Sequence, residues 1–190
     1  MKSAEKLMNH MRSGRVYRRQ ELEGISTALD RDLKALVDGG EVKKLAGGLY
    51  YRPRQNPFGV APPSDRGLVR AFLKTNDFLL TSYNHFNQLG LGLTQVYNNA
   101  VVYNHKRAGD FSLGGRRFEF RSVPAYPRRL SREFLLVDLL NNLGRLPDDA
   151  SLVLRNLKSR WNEFDQEGVR ECLARYGRPG ARTALREAHA

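Results

Sequence analysis

The sequence has one cysteine, Cys172, so no disulfide can close within the chain and the fold must rest on an apolar core. Its longest apolar stretches, such as 134–137 and 78–80, fall far short of the ~20 residues that span a bilayer. No apolar signal segment follows the N-terminus, and a cytoplasmic protein with no membrane partner is expected. His10, His85, His105 and His189 are scattered, with no second ligand one helical turn away and no cysteine beside them. No metal site and no cofactor are expected from them. Cys172 falls in a helical pattern with Val169, Leu173 and Tyr176, which reads as a buried structural thiol rather than an activated nucleophile. Leu89-Gly90-Leu91-Gly92-Leu93 is glycine-rich, yet no Lys-Ser/Thr follows, so it reads as a tight chain reversal and not a phosphate loop.

What is abundant is positive charge. Lys and Arg number 32 against 20 Asp and Glu over 190 residues, leaving +12 and a sequence pI near 10.2. That balance suits a polyanionic partner, although a merely solvated basic surface has the same composition. The excess is spread along the chain, so charge alone locates no site. With 41% hydrophobic residues there is enough apolar surface for one good core or two small ones.

The first ~50 residues read as three short helices and a hairpin. Leu7, Met8 and Met11 form an apolar face that ends at Gly14, and a second short helix, 18–22, stops at Gly24. A third helix is expected over 26–38, with Ser26 as its cap, Gly39-Gly40 as its stop, and Leu29, Leu33, Leu36 and Val37 as one buried stripe. Strands over 41–46 and 49–52 flank Gly47-Gly48, which favours a primed hairpin turn. This order predicts a winged helix-turn-helix at 1–54.

Residues 53–64 hold four prolines and a glycine, which predicts an extended linker at 55–63. Beyond it come a helix at 64–74, a strand at 78–82, a short helix at 83–89, and strands over 96–104 and 111–124, the latter folding around Gly114-Gly115. Helices at 131–143, 149–163 and 166–176, each preceded by a Ser or Asp, add a helical layer. The expected fold class is therefore α+β: the winged helix-turn-helix, then a mixed α/β domain at 64–178 with a C-terminal helical layer. The tail, 179–190, is expected to fray or to order only against a partner.

A major groove admits one helix whose exposed face carries short polar and basic residues. Thr27, Arg31 and Lys34 meet that description on the third helix. Arg31 suits a guanine edge and Lys34 a phosphate, and Ser26 and Thr27 lie at the helix N-terminus, where free N–H groups attract anions. Arg18 and Arg19, with Lys43, Lys44 and Arg52 on the hairpin, would clamp the backbone of double-stranded DNA. A second candidate basic surface comprises Lys106, Arg107, Arg116, Arg117 and Arg121, with Arg128 and Arg129 following at a helix start, where cations oppose the helix dipole. Flanking DNA or an acidic protein would suit it, as would plain solvent.

Val42-Lys43-Lys44-Leu45-Ala46-Gly47-Gly48-Leu49-Tyr50-Tyr51-Arg52-Pro53 resembles the wing of the AbiEi antitoxins of type IV toxin–antitoxin systems. Leu89-Gly90-Leu91 followed by Thr94-Gln95-Val96 is similar to the signature of that family's second domain. The resemblance implies a repressor that binds inverted repeats in its own promoter and an antitoxin that counters a nucleotidyltransferase-like toxin, without catalysis. Tyr97-Asn98-Asn99 replaces the proline that many relatives have there, and the chain beyond about residue 145 lies outside the matched motifs. The alternatives are a stand-alone winged-helix regulator with no toxin and, more remotely, a metal-dependent nuclease built on Asp110, Glu119 and Arg121, for which Arg121 is a poor substitute for lysine.

Overall fold

The computed structural model describes residues 3–189, the side chain of His189 excepted. It is a mixed α+β structure that divides into two compact units: residues 1–77 with 110–118, and residues 78–109 with 119–190.

The first unit opens with α1 (Ser3–His10), strand β1 (Val16–Arg18), a 3-10 turn over Arg19–Leu22, α2 (Leu29–Asp38), β2 (Lys43–Ala46) and β3 (Leu49–Tyr51). The strands form an antiparallel sheet in the order β1-β3-β2, with Tyr17 opposite Tyr50 and Lys44 also opposite Tyr50. Leu29, Leu33 and Leu36 fall on one side of α2 and bury with Leu7, Met11, Tyr17, Leu22 and Val42. That is the stripe expected from the spacing, although the helix begins at Leu29 and not at residue 26. The short helix expected over 18–22 is a single 3-10 turn, Arg19–Leu22, and strand β1, which ends at Arg18, precedes it. The Gly47-Gly48 turn is not a primed one: Gly48 alone has a positive φ, 70°, and the register slips between Lys44 and Ala46. A bulge at Leu45 thus supplies the twist that a primed turn would have given.

The expected linker is structured. Residues 54–56 and 59–61 form a two-stranded hairpin, β4 (Arg54–Asn56) and β5 (Gly59–Ala61), joined by a turn in which Asn56 Oδ1 accepts from the Phe58 N–H at 2.9 Å. The Tyr51 hydroxyl donates to the Ala61 carbonyl at 2.7 Å and ties this hairpin to β3. The prolines fall outside both strands, Pro53 before β4, Pro57 in the turn and Pro62 and Pro63 after β5, so none removes a ladder N–H. Helix α3 (Asp65–Leu73) follows, capped by Ser64, so the compact unit runs to residue 77 and the boundary expected at 55–63 moves downstream.

The second unit contains β6 (Leu79–Thr81), a 3-10 helix over Tyr83–Leu89 and β7 (Ala100–Asn104). Strands β8 (Gly109–Leu113) and β9 (Arg116–Ser122) complete a sheet of order β6-β7-β9-β8, and residues 110–118 of this pair group with the first unit. Gly114 and Gly115, at φ 57° and 79°, make the primed turn here. The expected strand over 96–104 shortens to its last five residues.

Helix α4 (Arg132–Asn142) is capped by Ser131 and buries on almost every side, with Leu136, Val137 and Leu139 fully enclosed. A helix apolar all round belongs at the centre of a core. Around it lie α5 (Ala150–Ser159), α6 (Gln166–Tyr176) and α7 (Pro179–His189). The tail is therefore helical, and Ala181, Leu185 and Ala188 bury in this core. Proline at the first helical position lacks only an N–H that would be unpaired anyway, so Pro179 opens the helix rather than breaking it.

Candidate nucleic-acid interface

The exposed side of α2 carries Arg31, Lys34, Ala35 and Asp38, with exposed Thr27 just before the helix. These positions recur at three- and four-residue spacing opposite the leucine stripe, so burying that stripe turns them outward. Arg31 keeps 78% of its side-chain area exposed and, among the described residues, has only a long, 3.5 Å contact to Asp32. A shallow recess beside the helix start is lined by Arg19, Ser26, Thr27, Asp30 and Arg31.

Three of the expected contact residues are already committed within the protein. Arg19 donates from Nε and Nη2 to both oxygens of Asp30, at 2.7 and 2.8 Å, and from Nη1 to Glu23 at 2.6 Å. The hydrogen bond to Asp30 raises the arginine pKa, and the same bond holds Asp30 below the usual carboxylate range. Arg19 is the strut that ties the 3-10 turn to the start of α2. Arg52 reaches across to α1, donating from Nη1 to the Met8 carbonyl at 2.6 Å and also to the Met11 carbonyl. Those oxygens lie at the C-terminal end of α1, where the unpaired carbonyls and the dipole favour a cation.

Ser26 does not cap α2 either. Ala28 holds that position without a side-chain bond, while the Ser26 hydroxyl donates to Asp32 at 2.6 Å and accepts from Ser3 at 2.7 Å and from the Ala28 N–H at 3.0 Å. These hydroxyl bonds, Ser26 first, keep Asp32 ionised below its ordinary range. Lys43 and Lys44 are exposed on β2, and Arg18 is half-buried 3.5 Å from Glu21. Thr27, Arg31, Lys34, Lys43 and Lys44 are what the first unit leaves available from the expected set.

The second basic surface divides between the units. Arg116 and Arg117 belong to the first, where Arg116 Nε pairs with Asp65 at 2.9 Å. In the second unit Lys106, Arg107, Arg128 and Arg129 are exposed. Arg121 is not a surface residue at all, being 7% exposed. It donates from Nε and Nη2 to Glu119 at 2.8 and 2.6 Å and from Nη1 to Asn142. Glu119 also accepts from Tyr83 at 3.0 Å and from Arg145 at 3.3 Å. Its oxygens are thus occupied by cations and a phenol, the reverse of what a metal-binding acid requires. Among the described residues no three His, Cys, Asp or Glu side chains gather to hold a metal ion, and no helix is long and apolar enough to cross a membrane.

Residues 90–97 bend at Gly90 and Gly92, at φ 68° and 89°, and are pinned by amides rather than paired in a sheet. Asn84 Nδ2 donates to the Tyr97 carbonyl at 2.8 Å while its Oδ1 accepts from the Tyr97 N–H at 2.7 Å, and Asn156 Nδ2 donates to the Leu91 carbonyl at 3.1 Å. Leu89, Leu91 and Leu93 bury, and Val96 is 77% exposed. Cys172 is half-buried, and burial pushes its thiol pKa up, against nucleophilic use.

The fold defines a two-unit α+β protein whose first unit turns Arg31 and Lys34 of α2 to solvent. No family model and no curated protein matches the chain. Among solved structures, the crystal structure of the RV2827C protein from Mycobacterium tuberculosis is similar to it, with a TM-score of 0.56 at 16% identity, covering 97% of this chain and 75% of that one. The likeness is one of fold.

Proposed function

We propose that the first unit is a winged helix-turn-helix and that the chain is a DNA-binding autorepressor and antitoxin of the type IV, AbiEi kind. The DNA-binding half of this reading is carried by the exposed face of α2, where Thr27, Arg31 and Lys34 stand clear of the leucine stripe. In it, α2 enters the major groove, Arg31 reads a base edge, and Lys34 meets a phosphate. Lys43 and Lys44 on the adjoining strand add backbone contacts. Arg19 and Arg52 act indirectly, by fixing α2 and α1.

The antitoxin half rests on the resemblance of 42–53 and 89–96 to that family. Exposed Lys106, Arg107, Arg128 and Arg129 are the surface of the second unit suited to flanking DNA or an acidic toxin face.

Gel shifts on DNA from upstream of the gene, against a scrambled duplex, test the first half. Arg31→Ala loses affinity for the upstream DNA by a factor corresponding to about 1–3 kcal/mol and relaxes sequence preference. Lys43→Ala weakens binding to both duplexes alike. Equal losses for both variants on both duplexes sink the assigned roles. Co-expression with a nucleotidyltransferase-like protein encoded next to the gene tests the second half, and persistent growth arrest removes the antitoxin claim.

A further inference from the structure

On the far side of the 3-10 turn from the recess at α2 lies an open cleft of about 250 Å³, also within the first unit. Arg15, Arg18, Arg70 and Lys74 line it with Thr75 and Asn76, and Glu21 is its one acid. Glu21 answers Arg18 at 3.5 Å. Among the described residues, Arg15, Arg70 and Lys74 have no carboxylate at ion-pair distance; Arg15 lies 5.1 Å from the centre of the Tyr17 ring, and Lys74 Nζ donates to Gln20 Oε1 at 3.2 Å.

From this clustering we infer a second phosphate-binding surface, in which the cleft holds the sugar-phosphate backbone of a duplex seated on α2. The inference rests on the reading of α2 as a DNA-contacting helix and extends its footprint across the 3-10 turn. The two recesses share that turn: Arg19 and Glu23 edge the α2 side, and Arg18 and Glu21 edge the other. On the α2 side Arg19 holds both Asp30 and Glu23, one guanidinium against two carboxylates, so that edge carries no cation surplus and the surplus lies in the cleft, on Arg15, Arg70 and Lys74.

Stability of α3 does not account for the cluster. Arg70 and Lys74 stand one helical turn apart, where like charges repel. The α3 C-terminus favours a cation near either of them, but Arg15 and Arg18 come from the β1 segment and owe nothing to that helix end. Lys74 also occupies the left-handed capping position after α3, at φ 59°, where glycine is the unstrained choice. A backbone cost is accepted at a residue whose ammonium faces the cleft. No contiguous sequence motif announces this surface, because its cations come from two segments some fifty residues apart.

That strain supplies a clean test. Arg70→Gln/Lys74→Gly removes two cations while relieving the backbone, so it keeps the wild-type melting temperature or raises it. Binding of the 190-residue chain to the upstream duplex and to a scrambled duplex is measured across salt concentrations for wild type, this variant and Arg31→Ala. The double variant flattens the log–log salt slope by about 2, at about 0.9 per phosphate lost, and weakens both duplexes equally. Arg31→Ala changes the ratio between the duplexes instead. A double variant with the wild-type slope overturns the cleft and leaves α2 standing. A neutral Arg31→Ala beside a weakened double variant overturns the α2 reading and keeps the cleft. A wild-type protein that binds neither duplex overturns both.

Discussion

Asp138 sets a pH dependence of stability in the second unit that can be worked through from its surroundings. Its carboxyl is 3% exposed in the face of α4, where Oδ1 accepts from the Tyr103 hydroxyl at 2.5 Å and from Asn142 Nδ2 at 3.0 Å, and Oδ2 has no partner among the described residues. Burial pushes its pKa up to about 6, against the pull of the Tyr103 bond and of the Arg121 and Arg178 charges. The folded protein therefore holds a proton that the unfolded chain, at 3.8, releases earlier. Stability from this group is complete below about pH 4 and is lost as pH rises through about 6. The span is worth about 3 kcal/mol, since each tenfold difference in proton affinity corresponds to about 1.4 kcal/mol.

Asp138→Asn keeps an acceptor for Tyr103 and places an uncharged amide beside the cavity lined by Tyr126, Phe134 and Tyr176. Urea unfolding of the second unit, followed at several pH values from 4 to 7, should show wild-type stability falling over that window relative to the variant. Above pH 6 the variant should be at least as stable as wild type, by up to about 3 kcal/mol. Parallel stability curves across the window, or a variant that loses stability above pH 6, would refute the account of a charge buried against its preference.

Two other substitutions bear on the packing. Arg52→Ala strips two carbonyls at the end of α1 of their donor and should cost the first unit about 1–3 kcal/mol in denaturant unfolding. A loss below about 0.5 kcal/mol, the range of ordinary surface changes, would mean that the arginine is not the cap. Leu136→Ala, at the fully enclosed centre of α4, should lower second-unit stability by about 2–5 kcal/mol. A smaller loss would show that α4 is not the hub of that core.

Much of the first unit was legible because its signals are local. Leu29, Leu33 and Leu36 state their own periodicity, and that alone turns Arg31 and Lys34 outward. Long-range pairing has no such local signal. Nothing near Arg52 in the sequence says that its guanidinium will meet carbonyls more than forty residues away, and the Arg19–Asp30 pair forms only once the 3-10 turn folds beside α2. Arg121 looked like one more surface cation because its strand alternation was visible but the helix covering that face was not. The prolines at 53–64 predict an extended linker, yet they sit in the turn and flanks of a hairpin where no ladder N–H is lost, and Pro179 sits at a first helical position that accepts it. The α3 side of the basic cleft escaped notice for the same reason as Arg52: its charges converge only in three dimensions.

The most direct test of the central claim, that α2 carries the chain onto its own upstream DNA, is footprinting of that DNA at two salt concentrations with wild type and Arg31→Ala. The account predicts discrete protected half-sites, a log–log slope of roughly −5 for contacts to ~6 phosphates, and loss of the half-site pattern in the variant. Protection that is uniform along the DNA, or half-sites that the variant leaves intact, would contradict it.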